Sequence, residues 1–190
     1  MKILEFTDAK KHELPLRTKT STNGNYMNQN QNIITKFYQA FQQRDWKTMQ
    51  SCYHAEASFS DPAFPNLNSN EVKAMWHMLC KNAQNFSLHY SEVATNGSQG
   101  NCRWDAYYTF SRSGRNVHNI IHAHFDFKDG LIIKHTDSFN FWSWSRMALG
   151  FSGLLLGWTP FLKGKVQATA NKSLLKFMRE NPQYQFNTLI

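Results

Sequence analysis

The chain has 190 residues, of which 41% are hydrophobic and only 18% charged, so it can form the core of one ordinary domain, and wholesale disorder is excluded. Its formal net charge of +8 is uneven. Residues 31–140 carry ten basic and nine acidic side chains, whereas residues 141–190 carry six basic and one acidic. Because the body of the chain is nearly neutral, we expect no nucleic-acid-binding face on the fold itself.

Three cysteines, Cys52, Cys80 and Cys102, are widely spaced and form no CxxC pair. This pattern predicts reduced, buried thiols in a cytoplasmic protein rather than a disulfide framework or a thiolate metal site. The N-terminus has no apolar stretch of signal-peptide length. The longest apolar run, residues 147–162, is interrupted by glycines and a Thr-Pro pair, and it falls short of the roughly twenty residues of a membrane-spanning helix.

The first 84 residues predict a polar leader followed by three helices. Residues 1–31 are polar and end in an Asn- and Gln-rich stretch, so we expect a flexible leader. Apolar residues then recur at helical spacing over 33–43, 46–53 and 71–84, and Asn70 is the expected N-cap of the third helix. Two prolines exclude a helix over residues 59–65.

After residue 86 the hydrophobic period changes to two. Four strands are predicted over residues 87–94, 103–112, 116–127 and 131–141, with Asn-Gly, Ser-Gly and Asp-Gly turns between them. Helices followed by an antiparallel meander predict an α+β fold, with a cone-shaped curved antiparallel sheet wrapped around the N-terminal helices.

Residues 142–190 are predicted to form a helical C-terminal extension. Its last helix, over about 163–178, places basic residues on one narrow stripe and apolar residues opposite. The basic stripe consists of Lys165, Lys172, Lys176 and Arg179. Two interpretations stay open for the extension: contact with an acidic partner or anionic membrane surface, or a lid in which residues 154–158 close the mouth of the fold. We prefer the lid, because an apolar cover would exclude water from a pocket.

Four stretches of the chain resemble one fold family. They are Lys36-Phe37-Tyr38-Gln39-Ala40-Phe41, the segment from Tyr53 to Pro62 that ends Phe59-Ser60-Asp61-Pro62, residues 113–127, and Asp129-Gly130-Leu131-Ile132-Ile133-Lys134-His135-Thr136-Asp137-Ser138-Phe139. Over residues 33–141 this order resembles the nuclear-transport-factor-2-like superfamily, which includes ketosteroid isomerases, limonene epoxide hydrolases and SnoaL-like polyketide cyclases. The resemblance implies a SnoaL-like domain over residues 32–141 and a homodimer formed through the outer face of the sheet.

Two aspartates are the candidate catalytic residues. Strand alternation places His135, Asp137 and Phe139 on one face, and burial beside the aromatic Phe139 would suit Asp137 to acid–base chemistry. Family members use an aspartate in this last strand, and Asp61 resembles the general-base position of the isomerases. Alternatively, Asp137 is a core polar group paired with His135 or Arg103, and Asp61 only caps the following turn.

The steroid isomerase pattern breaks at its oxyanion hole. The resemblance aligns Phe37 with the tyrosine of that site and Ala123 with its aspartic acid. In the isomerases this aspartic acid is kept protonated so that it can donate a hydrogen bond. Neither side chain can donate a hydrogen bond, and Tyr38 is turned about 100° from Phe37 on the helix.

The strands are also expected to line a ligand pocket. Trp104 and Tyr108 alternate with polar residues on one strand, and Asn119 heads an apolar set on the next. The predicted ligand contacts are Asn119, Tyr108, Trp104, Trp76, His135 and Phe139.

The opposite face of that strand carries His122, His124 and Asp126, with His118 further along. Such a set could chelate zinc, but histidines at an interface are common without metal, so we predict no metal site. The sequence therefore predicts a protein that binds a small hydrophobic molecule and performs isomerisation, cyclisation or hydrolysis by aspartate chemistry without a cofactor. A non-catalytic binding module of the same fold is the alternative.

Overall fold

A computed structural model describes residues 22–185, and their side chains from residue 29 onward. The helices and strands follow one another as α1 (Thr22–Gln42), α2 (Trp46–Ser51), β1 (Tyr53–Ser60), α3 (Ser69–Asn82), β2 (Ser87–Asn96), β3 (Gln99–Phe110), β4 (Arg115–Lys128), β5 (Leu131–Ser138), α4 (Phe141–Leu149), α5 (Phe151–Leu156) and α6 (Pro160–Glu180), with a final 3₁₀ turn (Pro182–Tyr184). Of the leader expected over residues 1–31, residues 1–21 lie outside the described part of the chain.

The sheet confirms the predicted meander and adds one strand to it. Its order is β1-β5-β4-β3-β2, and β2 to β5 pair antiparallel, as predicted. β1 pairs parallel with β5, with Ser60 opposite Thr136. Register shifts in the two edge strands, between Tyr53 and Ser58 and between Ser91 and Ala94, accompany the curvature of the sheet.

The strand β1 corrects the prediction of a second helix ending near Tyr53. The helix ends at Ser51, and Tyr53 begins the strand. Alanine and glutamate at positions 55–57 favour a helix locally, but the carbonyl of Cys52 accepts a hydrogen bond from Ile132 N at 2.9 Å, and pairing with β5 decides the conformation.

Two helix starts also differ from the predictions. Helix α1 begins at Thr22 rather than near Ile33, and the buried Asn30 donates a hydrogen bond to Gly97 O at 2.9 Å. The N-cap of α3 is Asn68, not Asn70, because Asn68 and Glu71 form a reciprocal capping box. Asn70 instead donates to Tyr184 O, which ties the chain end to α3.

The core lies between the concave face of the sheet and helices α1 and α3. Most residues of the predicted inward sets of β3, β4 and β5 are buried, including Trp104, Ile121, Phe125 and His135. The Asp129-Gly130 turn between β4 and β5 has positive φ angles at both residues, 53° and 73°, which is the geometry that such hairpin turns require. The architecture is thus the predicted α+β cone with a C-terminal helical extension.

Candidate functional site

The two candidate aspartates lie at the same end of the sheet. β1 and β5 run parallel, and Phe59 and His135 are paired and buried. Asp61 follows β1 directly and Asp137 lies in β5, and the charge of Asp137 contributes to the pKa of Asp61, so the two carboxyl groups are near one another. Strands β3 and β4 reach the same end with Tyr108 and Asn119. We call this end of the cone, defined by Asp61, Tyr108, Asn119 and Asp137, the mouth.

Asp137 is buried and held by two donors. Its Oδ1 lies 3.0 Å from His135 Nε2 and 3.4 Å from Trp104 Nε1. Arg103, the alternative partner, instead lies 3.3 Å from Asp105 and 3.9 Å from Glu92. The pairing of Asp137 with His135 is therefore present, and it leaves Oδ2 free of any hydrogen bond to the described residues.

A chain of hydrogen bonds orients His135 from behind. Trp76 Nε1 donates to the Tyr53 hydroxyl at 2.9 Å, and that hydroxyl lies 2.6 Å from His135 Nδ1. Indole N–H can only donate, so the Tyr53 hydroxyl accepts from Trp76 and keeps its own proton available for donation to Nδ1. Burial raises the pKa of Tyr53 well above its ordinary value, which keeps that proton in place. When Nδ1 accepts from Tyr53, Nε2 carries a proton and donates it to Asp137.

Asp61 lies in a different environment. Its Oδ1 accepts from Ala63 N at 2.7 Å and from Phe64 N, as a residue that caps the following turn would do. Burial nevertheless raises its pKa to about 7, against the opposing effect of these two N–H groups and of Lys163, and the Asp137 charge adds to the rise. Asp61 can therefore exchange a proton near neutral pH.

The other mouth residues provide polar groups at fixed positions. Asn119 is buried, with its side chain on the inward face of β4. The Tyr108 hydroxyl accepts from Trp144 Nε1 at 2.9 Å, and burial raises the pKa of Tyr108 to about 12, so it is neutral. Phe139 packs between the main core and the Trp144 cluster. Of the predicted contacts, Trp76 and His135 lie behind Asp137 rather than beside Asn119.

The extension covers the mouth, but through other residues than expected. Helix α4 reaches Tyr108 through Trp144, and Gln167 of α6 donates to Pro62 O at 3.0 Å. Residues 154–158, which we expected to be the lid, do not close the mouth, because their leucines and Trp158 are exposed to solvent. Helices α4 and α6 therefore cover the mouth, and α5 lies outside it.

Aromatic rings fill the interior behind the mouth. The rings of Phe37, Phe59, Trp76 and Phe125 surround His135 with centroids 4.3–6.0 Å away. Two cavities open elsewhere. One of about 690 Å³ lies between β1 and the start of α3, and one of about 450 Å³ lies beside α4, where Tyr108 and Met147 line it. Neither of these two cavities is lined by Asp61 or Asp137.

Tyr38, the residue after Phe37 on α1, is buried although the sequence does not predict it at the site. Tyr38 is turned from Phe37, but α1 is enclosed by the cone, and both side chains are fully buried. The Tyr38 ring stacks on Tyr90 at 5.4 Å, and its hydroxyl has no hydrogen-bond partner of normal geometry among the described residues. Burial, with a contribution from the Asp137 charge, raises the pKa of Tyr38 well above its ordinary value. It is a neutral donor near Asp137.

The histidines on the outer face are engaged with neighbouring side chains. His118 lies 3.0 Å from Asp105 and stacks on Tyr107, and His124 lies 2.9 Å from Asn101. Within residues 22–185 no three His, Cys, Asp or Glu side chains converge as a metal ion would require. In the same range no helix is long and apolar enough to cross a bilayer.

Tyr53 is a site residue that the sequence did not predict, because the hydrophobic pattern places Tyr53 at the end of a helix. One signal was available: Tyr53, Ala57 and Phe59 are the buried positions of the strand, but the register shift between Tyr53 and Ser58 hides the alternation.

Comparisons with known proteins agree with this architecture. The chain superposes with a TM-score of 0.55 on an epoxide hydrolase of the LEH-like type from M. tuberculosis, at 14% identity, covering 72% of this chain and 96% of that one. TsrD from Streptomyces laurentii gives 0.57 at 18% identity, covering 65% and 97%. TerC, co-crystallised with polyporic acid, gives 0.56 at 16% identity, covering 64% and 98%. At these identities the likeness shows the fold alone.

Sequence comparison identifies the family. No curated protein matches the chain significantly. The sequence model of the SnoaL-like domain, however, matches residues 34–135, more than half of the chain. Together with the five-stranded curved sheet and the helices in its concave face, this match shows that the chain belongs to the SnoaL-like domain family.

Proposed function

We propose that this protein binds a small hydrophobic molecule at the mouth and transfers protons on it with Asp137 and Asp61, as a cofactor-independent isomerase, cyclase or hydrolase. The observation that carries the proposal is a pair of carboxyl groups at the ends of neighbouring strands: Asp137 is buried, and Asp61 is half-buried with a pKa raised to about 7. A group that gains and loses a proton near neutral pH suits general acid–base catalysis.

The surroundings give the two carboxylates different roles. Asp137, held through Oδ1 by His135 and Trp104, has Oδ2 to accept a proton from a bound water or an acidic carbon. Asp61 delivers a proton to the substrate oxygen. In hydrolysis of an epoxide, water loses a proton to Asp137 as its oxygen bonds to carbon, the C–O bond of the ring breaks, and the proton of Asp61 goes to the released oxygen. Proton exchange with solvent then restores both carboxyls.

The fold neighbours support the class of ligand but not its identity. One is described as an epoxide hydrolase, and another was crystallised with polyporic acid. For this chain, a hydrophobic ligand is consistent with the aromatic walls of the mouth, with Asn119 as the buried polar group that would orient it. Both carboxyl groups already accept hydrogen bonds from the protein, which favours a second candidate function, a module that binds such a molecule without reacting it.

The experiment is turnover of a panel of small epoxides and enolisable ketones by the wild type and by Asp137→Asn. Asparagine keeps an oxygen that can accept from His135 and Trp104 but cannot take a proton. We expect kcat to fall about 100-fold or more, while the ligand-induced rise in Tm stays. The matched control is Asp126→Asn on the outer face of β4, which should keep wild-type turnover.

Unchanged turnover in Asp137→Asn would contradict the acid–base proposal. Equal Tm shifts in both proteins, with no turnover by either across the panel, would support the binding module instead.

Two further parts of the proposal derive from the sequence: a homodimer through the outer face of the sheet, and a cytoplasmic setting in which the three buried, unpaired cysteines stay reduced.

A further inference from the structure

Helix α5 and its flanks form an exposed apolar ridge. The ridge consists of Phe151, Leu154, Leu155, Leu156, Trp158 and Phe161, each 42–74% exposed. Eleven large hydrophobic side chains are exposed in the described part of the chain, and these six lie within eleven consecutive residues. Apolar side chains scattered singly on a surface are ordinary, but a contiguous group of this kind marks a surface that binds something.

The packing of α5 forces this ridge outward. Gly153 and Gly157 face α4 so closely that a Cβ on Gly153 would lie 1.8 Å from Ser145 O, and one on Gly157 would lie 2.0 Å from Ser145 Oγ. Ser145 Oγ also donates to Gly153 O at 3.2 Å. Because the small residues occupy the buried face, the large apolar residues of this short helix have only the solvent face left. The exposure is therefore a consequence of the helix pairing rather than of a loose segment.

Cationic side chains border the ridge. On α6, at 100° per residue, Phe161 shares a stripe about 60° wide with Lys165, Lys172, Lys176 and Arg179. Lys165 Nζ lies 4.5 Å from the Phe161 ring centroid. On α4, Arg146 lies 4.7 Å from the ring centroid of Trp142, another exposed aromatic. Glu180 is the single acidic residue after position 140.

We propose that the ridge and its basic border dock this protein on the surface of an anionic lipid bilayer. Aromatic and leucine side chains at the end of a cationic face suit the boundary between headgroups and acyl chains, where lysine and arginine meet anionic lipid. A second copy of the chain would bring two positive surfaces together, and an acidic protein or nucleic acid would leave the ridge in water. Docking is peripheral, and it stands independently of the proposed chemistry at the mouth.

The experiment is co-sedimentation of the full chain with two kinds of vesicle, one of phosphatidylcholine alone and one in which roughly a third of the lipid is anionic phosphatidylglycerol. Basic segments are attracted to the negative surface potential of the second kind. We expect binding to the anionic vesicles that weakens as salt is raised. The double substitution Phe151→Ser with Trp158→Ser should lower the partition coefficient about tenfold or more, since it removes the two most exposed apolar side chains of the ridge. Its matched control is Tyr107→Ser, an exposed aromatic on the outer face of the sheet.

The charge contribution is tested separately. Lys172→Glu should weaken binding about tenfold, and Lys134→Glu, an equal charge change on exposed β5, should change it much less. Absence of binding to anionic vesicles at low salt, or an unchanged partition of the double variant with Tm preserved, would overturn the proposal. So would equal binding to both vesicle types. A dimer in size-exclusion chromatography that the double variant converts to a monomer would assign the ridge to self-association instead.

Discussion

Large aromatic side chains are buried in the interior of the cone but exposed to solvent on the outer side of α5. In the cone, Phe37, Trp76 and Phe125 are fully or almost fully buried against the concave sheet. On α5 and its flanks, Phe151 and Trp158 are 74% exposed. The difference arises from what lies on the other face: polar residues alternate with the aromatics on the strands, whereas glycines take the buried side of α5. An apolar side chain therefore indicates core only where no smaller neighbour occupies the buried position.

Truncation of one residue in each region gives the largest expected contrast. Phe125→Ala removes a fully buried ring that packs on His135, Tyr38 and Phe127, and we expect a loss of about 3–5 kcal/mol in the free energy of unfolding. Leu155→Ala on the ridge should change it by less than about 0.5 kcal/mol. Denaturant unfolding measures both. A loss in Leu155→Ala comparable to that in Phe125→Ala would show that the ridge is packed within the folded chain.

The buried face of α5 provides the second contrast, between two glycines of the extension. Gly153→Ala would place a methyl group against the backbone of Ser145, so we expect a destabilisation of about 1–3 kcal/mol. Gly164→Ala, in the interior of α6 with nothing within 4 Å of the added carbon, should stabilise by about 0.5–1 kcal/mol. The measurement is Tm by circular dichroism. If Gly153→Ala were as stable as the wild type, the close pairing of α4 and α5 would be wrong.

The sequence predicted the parts of this molecule that depend on local patterns. Alternation placed Trp104, Asn119, His135 and Asp137 on the inward face, and the Asp129-Gly130 turn set the β4–β5 register. It could not predict β1, because that strand is decided by pairing with a strand about 75 residues away in the chain.

The contacts of the site were beyond sequence reasoning for the same reason. That Tyr53 would reach His135, or that Gln167 would reach Pro62, depends on distances across the fold. The outward ridge was also hidden, since a run of leucines between glycines indicates a buried segment unless the tight contact of those glycines is known.

Asp61 lies where the cone meets the C-terminal extension, and its titration gives the smallest effect that we expect on the free energy of unfolding. Its pKa is raised to about 7 in the folded protein, above the ordinary value of 3.8, so the native state holds a proton that the unfolded chain releases. Its contribution to stability is fully present below about pH 4 and is lost as pH rises towards 7. Asp61→Asn does not titrate, so its stability should fall less than that of the wild type between pH 5 and 6, by about 1–2 kcal/mol.

Urea unfolding at both pH values measures this difference. Equal slopes with pH in the wild type and Asp61→Asn would contradict the burial of an ionisable Asp61. The variant Gln167→Ala tests the source of that burial, because it keeps Asp61 but removes the hydrogen bond from α6 to Pro62 O. If the extension is what excludes water from Asp61, this variant should shift the pH of the stability change towards the ordinary carboxyl range. An unshifted transition would assign the raised pKa to the cone alone.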